Sequence, residues 1–237
     1  MAALADLLAV QELDTAVDQL RHRRATLPVL GSLDQVGRRT AEETAARDEV
    51  AGRLHRVRAD QKEAEDHAAL LEDKARAVDA SLYDGSVVAH KELESLQEEL
   101  AQLRHRQGDY EDRALELMEQ AEPIEAELAE HDGILAELRG ERDGLDSQLI
   151  VENAEIDAEL DRLMAERAAA AESVSDELMA TYEPLRSSLG GVAVARLLGS
   201  RCEGCHLEIP SAELEEVRRA PEDALVRCPE CMRILVR

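Results

Sequence analysis

The chain has 237 residues, a formal net charge of -25, 34% charged side chains, no Phe, no Trp and three Tyr. So little bulky apolar material excludes a conventional globular core, and a composition led by Ala, Leu, Glu and Arg is that of long helices that bury one narrow stripe and solvate the rest. The acidity opposes any broad surface for nucleic acid or anionic membrane. No apolar run is long enough to cross a bilayer and Met1 to Val10 has no basic leader pattern, so a cytoplasmic protein is expected.

Leu4, Leu7, Leu13, Val17, Leu20 and Leu27 outline a first amphipathic helix. Pro28 and Gly31 are expected to end it, with a break over 28–32 and Ser32 as N-cap of the next helix. Its basic run, Arg21-His22-Arg23-Arg24, reads as a solvated helix face rather than a phosphate site. Alternating steps of three and four from Leu33 to Leu82 visit 15 positions, 11 of them apolar, which predicts a second helix. Tyr83 to His90 contains Asp84-Gly85, which breaks the helix and resets the repeat. So short a connection makes the flanking helices antiparallel neighbours. Tyr83 at this tip is a candidate partner anchor, with packing into the turn as the plainer reading.

The same steps from Leu93 to Leu163 visit 21 positions, 16 of them apolar. A seven-residue repeat sustained this long predicts a left-handed supercoil, because a straight helix would let the stripe drift off its partner. Pro123 lies off the seam and is expected to kink the helix locally. Folding about the tip sets residues 148–171 against the first helix and returns the N-terminus near the C-terminal module. Glu43, Arg47 and His131, polar seam positions, would then lie together and set register. Pro184, Gly190-Gly191 and Gly199 are expected to mark the end of the return helix and the start of the next module. The division is a helical hairpin over 1–189 and a small module over 190–237, with net charge -24 on residues 1–191 against -1 on 192–237. The expected fold class is mainly α, a long antiparallel coiled-coil hairpin with a small C-terminal four-cysteine ribbon.

All four cysteines fall in this module, as Cys202-Glu203-Gly204-Cys205 and Cys228-Pro229-Glu230-Cys231. Two residues between cysteines let one tight knuckle present both thiolates to a tetrahedral ion, and two knuckles close the site. One structural Zn2+ held by Cys202, Cys205, Cys228 and Cys231 is the leading reading. Iron in a rubredoxin-like site and redox disulfides are the rivals, and the first normally has aromatics around it that this module lacks. Four thiolates leave no position for water or substrate, so the metal folds the module rather than catalysing. Ser211 to Arg219 can form a short helix, and 224–227 and 234–237 read as ribbon strands. His206 is a solvated knuckle residue or a substitute ligand. Arg201, Arg218, Arg219, Arg227, Arg233 and Arg237 are candidate partner or nucleic-acid contacts, with a solvated surface as the plainer reading because acidic residues share the module.

Gln11-Glu12-Leu13-Asp14, Arg23-Arg24-Ala25-Thr26-Leu27-Pro28, Leu82-Tyr83-Asp84-Gly85 with Lys91-Glu92-Leu93, Cys202-Glu203-Gly204-Cys205-His206 and Val226-Arg227-Cys228-Pro229-Glu230-Cys231-Met232-Arg233-Ile234-Leu235 together resemble the bacterial C4-type zinc-ribbon proteins with a coiled-coil hairpin. Met232 departs from the family's usual Gly after the last cysteine, which bears on knuckle geometry. The resemblance implies a non-enzymatic protein-interaction role with nucleic-acid binding as an option; some relatives are linked to an alternative sigma factor, flagellar gene expression or messenger RNA. The expected function is an adaptor or regulator that binds partner proteins, in transcription or RNA-related control. A direct RNA- or DNA-binding regulator acting through the ribbon is the alternative. No glycine-rich phosphate loop, serine nucleophile elbow or open metal site suggests an enzyme, a small-molecule substrate or a membrane partner.

Overall fold

The computed structural model describes residues 2–85, 89–221 and 224–237. Among these described residues five helices and three short strands follow in the order α1 (Ala2–Ala25), α2 (Pro28–Tyr83), α3 (His90–Ala171), α4 (Asp176–Ser188), β1 (Val194–Leu198), β2 (Arg201–Cys202), α5 (Ser211–Arg219) and β3 (Ile234–Val236). They divide into two compact units, residues 32–144 and residues 1–31 with 145–237. Among the described residues no helix is long and apolar enough to cross a membrane.

In the first unit the repeat is realised residue by residue. All 15 seam positions from Leu33 to Leu82 are buried or partly buried, and of the 15 from Leu93 to Arg142 only Arg142 is exposed. Narrow burial of Val36, Val50, Ala64, Ala68 and Leu71 against Leu100, Leu117, Ala121, Leu135 and Leu138 is what an Ala- and Leu-rich seam can supply without aromatic residues. Arg39–Glu141 at 3.2 Å, Arg47–Asp132 at 3.1 Å and Arg53–Glu127 at 2.5 Å flank it in descending order along α3, the signature of antiparallel pairing. His131 Nδ1 lies 2.5 Å from Glu43 Oε1 in the seam, but Arg47 turns aside to Asp132 and Asp48, so only two of the three expected polar residues meet. Pro123 sits inside an unbroken helical span.

Near the tip, Gly85 takes a positive φ of 77° after α2; Ser86, Val87 and Val88 of the expected turn lie outside the described residues. Tyr83 is 84% exposed, which overturns the packed-turn reading.

The second unit corrects two boundaries. α2 begins at Pro28, so Ser32 lies inside it and caps nothing. Proline is well placed in a first helical turn, where its φ suits the helix and its missing N–H costs no bond. The return helix ends at Ala171 rather than near 189, and Pro184 lies within α4. Ser175 is the N-cap, its hydroxyl accepting from the Leu178 N–H at 3.4 Å, while Asp176 and Glu177 complement the helix dipole.

The ribbon sheet has strand order β2-β1-β3, with β1 antiparallel to β2 and parallel to β3. Residues 224–227 form no strand; Arg227 makes only an isolated bridge to Ile234. Alternation sends Val194 and Ile234 to one face, where they pack with Leu4, Leu7 and Val10 of α1 and Tyr182 of α4. Their neighbours Ala195 and Leu235 face the other way, onto Leu214 and Val217 of α5 and the buried Cys202 and Cys228.

Candidate metal centre and its clasp

The two knuckles have one backbone plan. His206 N–H donates to Cys202 O at 2.8 Å, and Met232 N–H to Cys228 O at 2.9 Å. Cys202 N–H donates to Leu207 O at 3.0 Å, and Cys228 N–H to Arg233 O at 2.8 Å. The plan needs a left-handed residue after each second cysteine, and His206 and Met232 fill it with φ of 61° and 63°. Glycine is the natural occupant of such a position. The knuckle therefore forms with methionine at a backbone cost rather than changing shape.

The four Sγ atoms lie within 4.8 Å of one another, with Cys202–Cys231 and Cys205–Cys228 each at 3.9 Å. A tetrahedron with metal–sulfur distances of about 2.3 Å has edges of about 3.8 Å, so the set fits one zinc ion. Among the described residues this is the group of His, Cys, Asp and Glu side chains able to hold a metal, and His206 is not part of it. Burial pushes the Cys202 thiol above its ordinary value, against backbone N–H groups of Cys205 and Gly204 that favour the thiolate. Burial likewise pushes Cys228 up to about 12, against N–H groups of Cys231 and Glu230. At Cys231 burial acts in the same direction, but the Arg233 N–H and guanidinium and the neighbouring thiols outweigh it and bring the group down to about 7. A bound cation would complete what the N–H groups begin, by replacing the protons.

Arg233 is thus a support of the centre and not a free surface cation. Its Nε–H donates to Val192 O at 2.8 Å and its Nη2 to Leu189 O at 3.4 Å. It passes so close to the first knuckle that a Cβ on Gly204 would lie 2.6 Å from Arg233 Cδ and 2.8 Å from Ala195 Cβ. Most of the other candidate arginines are committed too. Arg201 donates to His206 O, Arg218 to Gly199 O, and Arg219 pairs with Glu215. Arg237 holds the carbonyls of Val217 and Ala220 at the end of α5. Arg227 is exposed, and its side chain has no hydrogen bond or ion pair among the described residues. In α1, Arg21 pairs with Asp18 and Arg24 with Asp157, and the run of positive charge sits where the helix dipole favours it.

Sequence reasoning missed the clasp that α1 makes on the ribbon. Gln11 is buried and substitutes for a strand edge: its Oε1 accepts from Ala193 N–H at 2.7 Å and Val194 N–H at 3.3 Å, and its Nε2 donates to Gly191 O at 2.9 Å. Asp14, also buried, accepts from the Tyr182 hydroxyl at 2.7 Å and from Arg167 at 3.2 Å. Arg186 reaches Asp14 at 3.6 Å and bonds Asp18, and Arg196 pairs with Glu12 at 2.7 Å. Burial, then the Asp14 carboxylate, pushes the Tyr182 hydroxyl well above its ordinary value. The available signal was two polar residues, Gln11 and Asp14, in an otherwise apolar helical stripe.

Residues 10–190 match the family described as the CT398-like coiled coil hairpin domain, and residues 201–235 match the C4-type zinc ribbon domain. An uncharacterized protein of Mycobacterium tuberculosis is 32% identical over 237 residues, covering 98% of this chain and 94% of that protein. A solved structure from Mycobacterium smegmatis is 30% identical with a TM-score of 0.77, covering 99% of this chain and 97% of that one. CT398 from Chlamydia trachomatis, at 21% identity, shares the fold with a TM-score of 0.72 over 99% of this chain and 97% of its own.

Proposed function

This chain belongs to the CT398-like coiled coil hairpin family with a C4-type zinc ribbon, and we propose that it is a non-catalytic adaptor or regulator that binds partner proteins. The observation that carries the reading is the closed metal shell: four mutually close thiolates, two of them buried, leave a bound zinc no position for substrate or water. Zinc then supplies folding energy to the ribbon, and function falls to surfaces. Commitment of Arg201, Arg218, Arg233 and Arg237 to backbone carbonyls supports a protein partner over the nucleic-acid alternative, which is left chiefly with Arg227 and with Arg219, paired at the surface with Glu215.

The test is capture from a lysate of the native organism with the zinc-loaded chain and with a Cys202→Ser/Cys231→Ser variant, at low and high salt. Recovery of a defined protein complex that survives high salt is expected. Recovery of RNA or DNA alone, dependent on the ribbon and lost at high salt, would replace the adaptor with the nucleic-acid regulator.

A further inference from the structure

One flank of the paired helices in residues 32–144 carries four rungs at seven-residue spacing. Arg58, Glu65, Glu72 and Asp79 of α2 follow one another, and Glu125, Met118, Glu111 and Arg104 of α3 stand across from them in that order. The outer rungs are closed by ion pairs between the helices, Arg58 with Glu125 and Arg104 with Asp79 at 3.3 Å. The inner rungs are not. Among the described residues Glu65 and Glu111 accept only from the neutral amides of Gln61 and Gln107, one turn away on their own helices, and Glu72 bonds Arg76 on its own helix.

Between these carboxylates lies a groove of about 430 Å³ with Ala68, Ala69 and Ala114 as its small residues. Its wall carries Leu115 and Met118, 54% and 40% exposed. Flanking positions of a two-helix coiled coil are normally charged, so two large apolar residues one turn apart beside alanines leave a surface that a third helix would cover. The excess of carboxylate names the chemistry of that helix. A second copy of this chain, at -25, and a nucleic acid both carry the wrong sign.

We infer that this groove docks an amphipathic helix of a partner protein, with apolar side chains at i, i+3 or i+4, and i+7 seated on Leu115 and Met118 and with Lys or Arg reaching Glu65, Glu72 and Glu111. The inference rests on the adaptor reading and gives the partner its chemistry. The probe is a labelled helical peptide of about 18 residues with such a leucine stripe flanked by lysines, titrated against the full zinc-loaded chain at about 150 mM salt. Saturable binding is expected, weakened about tenfold or more by Leu115→Gln/Met118→Gln and by Glu65→Gln/Glu111→Gln. Unchanged circular dichroism shows that both variants keep their fold. Binding that is absent, equal for a scrambled peptide of the same composition, or indifferent to both variants overturns the inference. Lysate capture with Leu115→Gln/Met118→Gln separates the two readings: loss of the wild-type partner supports the groove, while full retention sinks the groove and leaves the adaptor standing. Failure of the adaptor looks different, because the wild-type chain then retains no protein at all.

Discussion

Met232 occupies a left-handed backbone position, with φ of 63° and a half-exposed side chain. The conformation costs a non-glycine residue about 1–2 kcal/mol, and glycine returns part of that through the unfolded chain. Met232→Gly should therefore stabilise the zinc-loaded protein by about 0.5–1 kcal/mol, read from urea unfolding. Arg233 acts on the Cys231 thiol while anchored on Val192 O and Leu189 O, so its loss should reach the metal. Arg233→Gln is expected to lower zinc affinity about 10–100-fold in competition with a chromophoric chelator. Equal affinity would reduce Arg233 to a packing residue.

Tyr182 titrates in a way that can be checked. Burial and Asp14 hold its folded pKa above the ordinary value of 10.0, so above about pH 10 the unfolded chain loses a proton that the folded chain keeps. Its contribution is fully present below that pH and is lost as pH rises toward the folded value. Tyr182→Phe should cost about 1.5–3 kcal/mol at pH 7, where a hydrogen bond to a carboxylate disappears, and should flatten the alkaline loss of stability in denaturant titrations.

At the scale of the element, α1 is as much a part of the ribbon as of the hairpin. Leu4, Leu7 and Val10 cover one face of the sheet, and Gln11 satisfies Ala193, Val194 and Gly191 where no strand is available to do so. Gln11→Leu keeps the bulk and removes these partners, leaving buried backbone groups unpaired. A loss of about 1–3 kcal/mol is expected, with faster hydrogen exchange at Ala193 and Val194 while α5 amides change less. Equal acceleration across the ribbon would mean that the clasp is only packing.

For the whole molecule, the two compact units should respond differently to zinc. The four ligands and both ribbon cores belong to residues 1–31 and 145–237, while residues 32–144 are held by their own seam. Chelation should raise hydrogen exchange through the first of these sets and leave that of residues 32–144 near its starting level, measured peptide by peptide. Loss of protection throughout would show that the seam depends on the metal.

The sequence by itself determined what is periodic or local. The seam of α2 and α3 was legible because a seven-residue repeat has one way to bury itself, and the zinc ligands because two Cys-x-x-Cys knuckles need only each other and a tetrahedral ion. The helix over 211–219 was likewise legible within one element. Tertiary structure decided what depends on residues far apart in the chain. Nothing local says that Gln11 completes a strand 182 residues away or that Asp14 receives Tyr182 across 168 residues. Nor does a count of arginines reveal that Arg233 lies against Gly204, or that Leu115 and Met118 stay open where the neighbouring rungs are closed by ion pairs. A side chain's chemistry is written in the sequence, but its partner is set by packing that brings distant segments into hydrogen-bond range.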